Sequence, residues 1–328
     1  MAGDLAVRLA AARGIVGDAP MLELAVEDAV RVEIGAGDRH ARDLDRTGAW
    51  WPAGALSRAR EEALSDRRLG FLDALPRSIT FGRRLAHLTA WAIGRDEPSD
   101  EALGAAQAMN VFVTVFDGLC DECPDRLPAL LADLQPRFAG FPRAGDPPTP
   151  SGSATADLVS GLVHRTTLML EPCFADASPA LAGDAARAVG SAFEAQVAGA
   201  SCPAAEARER LSVLTFRATL GVVALVDRAD PSVVPGLARV ARTSGALFGW
   251  IDDVADWESD GRAGRPNMLA LGLERAGGPS GAIGLVRSET MRFWDDLIRS
   301  LEETGRAGMM RGELESAAMA WLGVRRAA

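Results

Sequence analysis

The sequence predicts an all-α fold, a single-domain helical bundle, and three observations carry that expectation. Apolar residues recur at three- and four-residue spacing along almost the whole chain. No run alternates apolar and polar residues for long enough to make a sheet strand. Short breaks containing Gly and Pro separate the periodic stretches. Helices are therefore expected over residues 21–33, 54–65, 79–94, 100–122, 125–138, 154–172, 178–200, 204–229, 233–258, 282–303 and 308–323.

Taken in order, residues 1–75 read as an N-terminal helical extension packed on a main domain that covers residues 76–328. The opening MAGDLAVRLAAARG is no signal peptide, because Asp4 and Arg8 interrupt its apolar stretch. No uninterrupted apolar run approaches the roughly 18 residues of a membrane helix, so a cytoplasmic protein without a membrane span is expected. The composition, 48% hydrophobic and 24% charged, is that of a globular chain. A net charge of −10 argues against nucleic acid as a partner, which would require basic patches. Cys120, Cys123, Cys173 and Cys202 are too few and too scattered for a disulfide scaffold. Reduced thiols are expected.

The helix over 100–122 ends in the segment AMNVFVTVFDGLCDECP. Helical spacing gathers Val113, Phe116, Asp117, Cys120 and Asp121 towards one face. Asp117 and Asp121 thus point the same way at the C-terminal end of a helix, where the macrodipole already disfavours negative charge. A nearby cation would resolve that conflict. The Pro- and Gly-rich stretch 140–152 that follows is expected to be a loop inside one domain, because the acidic segments on either side of it need each other.

The helix over 233–258 runs into LFGWIDDVADWESDGRAGRPN. Phe248, Ile251, Asp252, Ala255 and Asp256 share a face, and Asp260 falls one turn further along the same row. Carboxylates four residues apart repel, and burying one unpaired costs several kcal/mol or protonates it. Oxygen-only donors without a well-placed His or thiolate suit a hard cation such as Mg2+, which shares itself between carboxylates and substrate phosphates. Apolar faces above such carboxylates would receive a hydrocarbon chain. Asp253, Glu258 and Glu122 read equally as a solvated acidic face. The break at 271–281 is expected to form a flap.

Other site types do not fit. Cys120 and Cys123 form a lone CxxC with neither a second pair nor a βαβ context. His40, His87 and His164 are dispersed, and the stretch from Gly35 to His40 lacks the third glycine and the strand of a dinucleotide site.

The two acidic motifs resemble those of class I terpene synthases and, more distantly, trans-prenyltransferases. The segment from Asp252 to Asp260 fits the second metal motif, with aspartate at all three ligand positions. The segment from Asp117 to Glu122 looks like a variant of the Asp-rich first motif, with Gly118 in place of the second aspartate and Glu122 as a substitute ligand. The resemblance implies the class I isoprenoid synthase bundle and Mg2+ as cofactor, three ions in the closed complex. It further implies Arg217 as a diphosphate sensor, with Gly221 at a helix break and Arg210 as a rival, and Arg262 and Arg265 as diphosphate ligands.

An elongating prenyltransferase binds a second diphosphate through basic segments that are missing here; after Asp121 only Arg126 follows. The expected activity is therefore that of a terpene cyclase, a lyase releasing diphosphate from an allylic prenyl diphosphate. The substrate expected first is C20 geranylgeranyl diphosphate, which gives a diterpene, with C15 left open. The alternatives are a trans-prenyltransferase and an inactive binding subunit of the same fold. The cavity is expected to draw on Phe112, Val113, Phe116, Phe216, Gly221 and Phe248, core packing being the alternative for each aromatic residue. The oligomeric state stays open, with a homodimer among the options.

Overall fold

The computed structural model describes residues 35, 37–199, 205–264, 267–270 and 279–303. Helices follow one another as α1 (37–47), α2 (Ala55–Ser65), α3 (Leu75–Ala92), α4 (Asp100–Glu122), α5 (Leu127–Gly140), α6 (Ala154–Asp176), α7 (Pro179–Gly199), α8 (Ala205–Val226), α9 (Val234–Ala263) and α10 (Pro279–Glu302). No strand occurs among the described residues, so the all-α expectation holds. The helices expected at 21–33 and 308–323 lie outside the described residues, as do Arg265, the side chains of Asp256 and Arg210, and residues 271–278 of the expected flap.

Two local differences have physical causes. Helix α1 was not expected, because Gly35 and Gly37 read as breakers; yet a Cβ on Gly37 would run into the backbone carbonyl of Pro76, so this glycine permits a close contact. Helix α6 continues past Pro172, where a stop was expected. The proline sits in the last turns, next to the solvent-exposed Leu168, so the carbonyl that loses its donor there can reach water.

The described residues fall into two compact units. One is built from Glu33–Ala200 and Ala218–Val234, and the other takes Ser201–Arg217 and the chain from Pro235 onward. In the first, α3 and α4 make the most extensive helix pair, and α2 packs on α6. Small side chains make the α3–α4 contact close: Ala86 meets Ala102 and Ala106, with Val223 of α8 against the same cluster. Polar groups fix its register, since Asn110 Nδ2 donates to the Ser78 carbonyl at 3.1 Å and the Ser78 and Thr114 hydroxyls lie 2.5 Å apart. Helix α4 is long and apolar enough to cross a membrane, but 56% of its apolar window is buried, as befits a core helix.

Helix α2 is capped from a distance. Its own N-cap is Gly54, which offers no side-chain acceptor; instead Asp45, in α1, accepts from Leu56 N at 2.9 Å, Ser57 N at 3.1 Å, Ser57 Oγ at 2.6 Å and Trp51 Nε1 at 3.0 Å. Burial alone would raise the Asp45 carboxyl, but these hydrogen bonds outweigh it and hold the group below its ordinary range.

In the second unit α8 and α9 approach closely. A Cβ at Gly245 would lie 2.7 Å from Val213 Cα, and one at Gly249 would lie 2.7 Å from Ser212 Oγ, so two glycines four residues apart form the face on which α8 rests. Helix α10 is tied to α9 by Trp250 Nε1 donating to Thr290 Oγ1 at 2.9 Å and by the Thr243 and Ser300 hydroxyls at 2.8 Å.

Candidate active site

In the first unit, Asp117, Asp121 and Glu122 are all exposed at the end of α4, although most of the preceding helix is buried. Helix α4 itself is launched by Ser99, whose hydroxyl accepts from Ala102 N at 3.2 Å. Cys120 lies between the two aspartates, and burial, reinforced by their charges, pushes its thiol up to about 12. Cys123 caps the helix, fully buried, and its thiol is also raised, chiefly by burial. Both shifts disfavour the thiolate, the form in which a cysteine reacts and binds soft metals. The donors presented here are oxygens.

Two features hold this end of α4, and neither was singled out as functional in the sequence. The Phe71 ring lies against Gly118, where an added Cβ would come within 2.6 Å of Phe71 Cδ1. Beyond the helix, Arg126 pairs with Glu62 at 2.7 Å and with Asp66 at 2.8 Å, its side chain only 19% exposed. Glu62 also accepts from Thr155 N and Thr155 Oγ1, both at 2.8 Å, and so caps α6 while anchoring Arg126. Its carboxyl is held below the usual range by these hydrogen bonds and by Arg126, against the opposing effect of burial.

Phe116 is fully buried and stacks on Phe112 at 5.4 Å; Phe193 sits 5.8 Å from it. Val113 is half-buried. Phe112 is set about 140° around the helix axis from Asp117 and about 180° from Asp121, at 3.6 residues per turn. It lines a separate apolar pocket. Gly221 corrects an expectation: α8 is continuous through Val226, with no break. A Cβ there would make ordinary contact with Ala185, 3.6 Å from its Cα, so packing does not itself demand glycine at this position.

In the second unit, Phe216 and Phe248 stack at 5.7 Å, both buried. The stack draws the Arg217 segment of α8 against the turn of α9 that precedes Asp252. Asp252 and Arg217 are both half-buried, and Arg262 is exposed. Asp253, one of the candidates for a merely solvated face, is 1% exposed. Its Oδ2 accepts from Met268 N at 2.8 Å, and its carbonyl accepts from Asn267 Nδ2, also at 2.8 Å. The same amide donates to Asp260 Oδ2 at 2.9 Å, while Asn267 Oδ1 accepts from Leu269 N at 3.0 Å. Asn267 thus fastens the chain after α9 back onto the last three turns of that helix. Sequence reasoning missed it, although Asn ahead of a helical turn is a capping signal. Among the described residues, no three His, Cys, Asp or Glu side chains gather at metal-binding range.

No protein-family model matches the sequence, and no curated protein is similar to it in sequence. Solved structures do resemble the fold. A cucumene synthase variant shares 15% identity at a TM-score of 0.53, over 82% of this chain and 94% of that one. A linalool/nerolidol synthase from Streptomyces clavuligerus, in complex with 2-fluorogeranyl diphosphate, shares 16% identity at a TM-score of 0.49, over 83% of this chain and 94% of that one. The chain therefore has the all-α fold of a terpene synthase.

Proposed function

We propose that the protein is a class I terpene cyclase that ionises an allylic prenyl diphosphate, cyclises the carbocation to a terpene hydrocarbon or alcohol and releases diphosphate. The observation that carries this reading is the pair Asp117 and Asp121, both exposed at the end of a core helix in a chain with a terpene-synthase fold. Two carboxylates on one side of a helix's C-terminal end, where the macrodipole is itself negative, favour a bound cation.

The donor set fits Mg2+. Oxygens are offered by Asp117, Asp121 and Glu122 in the first motif and by Asp252, Asp256 and Asp260 in the second, while the neighbouring thiols stay protonated. Mg2+ bound at either motif would neutralise the charge that develops on departing diphosphate. Arg217, Arg262 and Arg265 are proposed to grip diphosphate oxygens, a task for which the planar guanidinium is suited. Val113, Phe216 and Phe248 are proposed to give apolar and aromatic surface that shields a carbocation from water.

Arg126 favours cyclisation over chain elongation. It is the basic residue that follows the first motif, and Glu62 and Asp66 occupy its guanidinium, so it supports no second diphosphate site. The preferred substrate within this reading is C20 geranylgeranyl diphosphate.

The test is incubation with Mg2+ and prenyl diphosphates from C10 to C25, with and without isopentenyl diphosphate, followed by diphosphate assay and gas chromatography with mass spectrometry. Cyclic product from one diphosphate, lost in Asp117→Ala and Asp252→Ala, is the expected result. Longer linear diphosphates formed only with isopentenyl diphosphate would instead identify an elongating enzyme, and no turnover at all an inactive subunit.

A further inference from the structure

The first unit holds an apolar pocket of about 50 Å3 between α4, α5, α6, α7 and α8, lined in part by Phe112, Phe138, Phe141, Leu170 and Val222. Phe112, its aromatic wall on α4, lies on the side of that helix turned away from Asp117 and Asp121. A water needs roughly 10–15 Å3 by this kind of measure, so the space takes about three to five non-hydrogen atoms and not a C15 or C20 chain. In size the pocket is thus distinct from a cavity for the proposed substrate.

One polar group in its wall stands out. Thr166 Oγ1 is buried without a hydrogen-bond partner among the described residues. Its neighbour Thr167 shows the usual solution for a helical threonine, donating to the carbonyl of Val163 at 2.8 Å. A buried hydroxyl without a partner costs roughly 1–3 kcal/mol, which a bound acceptor would offset. No charged side chain lines the pocket. The aromatic walls are held by their own contacts, Phe138 on Phe193 at 3.9 Å and Phe141 against Phe174 at 5.1 Å, so the space is preformed.

We propose that this pocket is a second binding site, for a small neutral apolar molecule that carries a single oxygen acceptor, with Thr166 Oγ1 as the hydrogen-bond donor. Aliphatic groups fill the space between the phenyl rings, and a carbonyl or ether oxygen meets the hydroxyl. Charged ligands are rejected because nothing in the wall would balance them. The inference stands independently of the diphosphate chemistry.

The test uses two isosteric probes of fitting size on the full chain, 2-butanone and 2-methyl-1-butene, which differ in having C=O or C=CH2 at the same place. Saturation-transfer NMR titration is expected to show the ketone binding about three- to tenfold more tightly, the range of one net hydrogen bond. Thr166→Val, which keeps the shape, should abolish that preference and leave alkene binding unchanged. Val163→Phe should block both probes with an unchanged circular dichroism spectrum, and Ala108→Val serves the same purpose if the larger residue disturbs the fold. Absence of binding to the wild type, or a ketone preference that survives in Thr166→Val, would overturn the proposal.

Discussion

The ring of Phe71 occupies the space that any side chain at position 118 would need, since a Cβ there would lie within 2.6 Å of Phe71 Cδ1. The first acidic motif therefore has glycine where the resemblance leads one to look for a second adjacent aspartate. The 3-10 segment Arg67–Ala74 that carries Phe71 is what shapes the motif locally.

This relationship predicts a reversal of sign. In an exposed helix Gly→Ala gains about 1 kcal/mol, while forced overpacking costs about 1–3 kcal/mol. Gly118→Ala should therefore destabilise the wild-type protein by about 1–2 kcal/mol, yet stabilise a Phe71→Ala background by up to about 1 kcal/mol. Urea denaturation of the four proteins in the cycle checks this. Equal effects in both backgrounds would mean that Phe71 does not restrict position 118.

Asp45 gives a pH-dependent expectation. Its carboxyl is held below the ordinary range in the native state, so its contribution to stability is present above about pH 4 and is lost as pH falls through the lower native value. Asp45→Asn should cost about 1–3 kcal/mol at pH 7, because one acceptor position becomes a donor facing N–H groups. That gap should close as the pH falls through the lowered native value and the wild-type carboxyl itself becomes protonated. Thermal denaturation at intervals from pH 2 to pH 7 reads the convergence.

The helical bundle and the two acidic segments were legible because both rest on local spacing. Residues 100–122 and 154–172 announce themselves by apolar periodicity, and Asp117, Asp121, Asp252 and Asp260 by their place on it. What escaped depends on partners far away in the chain. Gly37 looked like a breaker because its reason, the backbone at Pro76, lies 39 positions along the chain. Asp45 lies between the expected helices 21–33 and 54–65, and its work as a distant cap on α2 follows from tertiary packing alone. Asp253 read as solvated because helical spacing cannot foresee that Asn267 and Met268 fold back over it.

Arg126 and Glu62 form the joint between α2, the end of α4 and the start of α6, and their coupling is measurable. Both side chains are about one-fifth exposed, 19% and 20%, so their attraction is screened less than at a surface. A double-mutant cycle with Arg126→Met and Glu62→Gln should give a coupling of about 1–2 kcal/mol in denaturant unfolding. If the proposed function holds, Arg126→Met should also leave product formation from a single prenyl diphosphate independent of added isopentenyl diphosphate. A coupling near zero would place the pair with ordinary surface contacts.

Asn267 is the smallest change with consequences for the second motif. Its amide donates to the Asp253 carbonyl and to Asp260 Oδ2, and its oxygen accepts from Leu269 N and Ala270 N, so one side chain 2% exposed serves four backbone and carboxylate groups. Asn267→Leu has a similar volume but satisfies none of them, and it should destabilise the protein by about 2–4 kcal/mol, the cost of leaving several buried polar groups unpaired. Asn267→Asp keeps the two accepted bonds but sets a carboxylate against the Asp253 carbonyl and the Asp260 carboxylate, which adds repulsion. Under the proposed function, added Mg2+ should then raise the melting temperature of Asn267→Asp more than that of the wild type, because the cation relieves the larger charge. Differential scanning calorimetry with and without 5–10 mM Mg2+, roughly the range that saturates weak carboxylate sites, distinguishes the cases. An equal rise in both proteins would show that Asp260 and its neighbours do not share a cation with position 267.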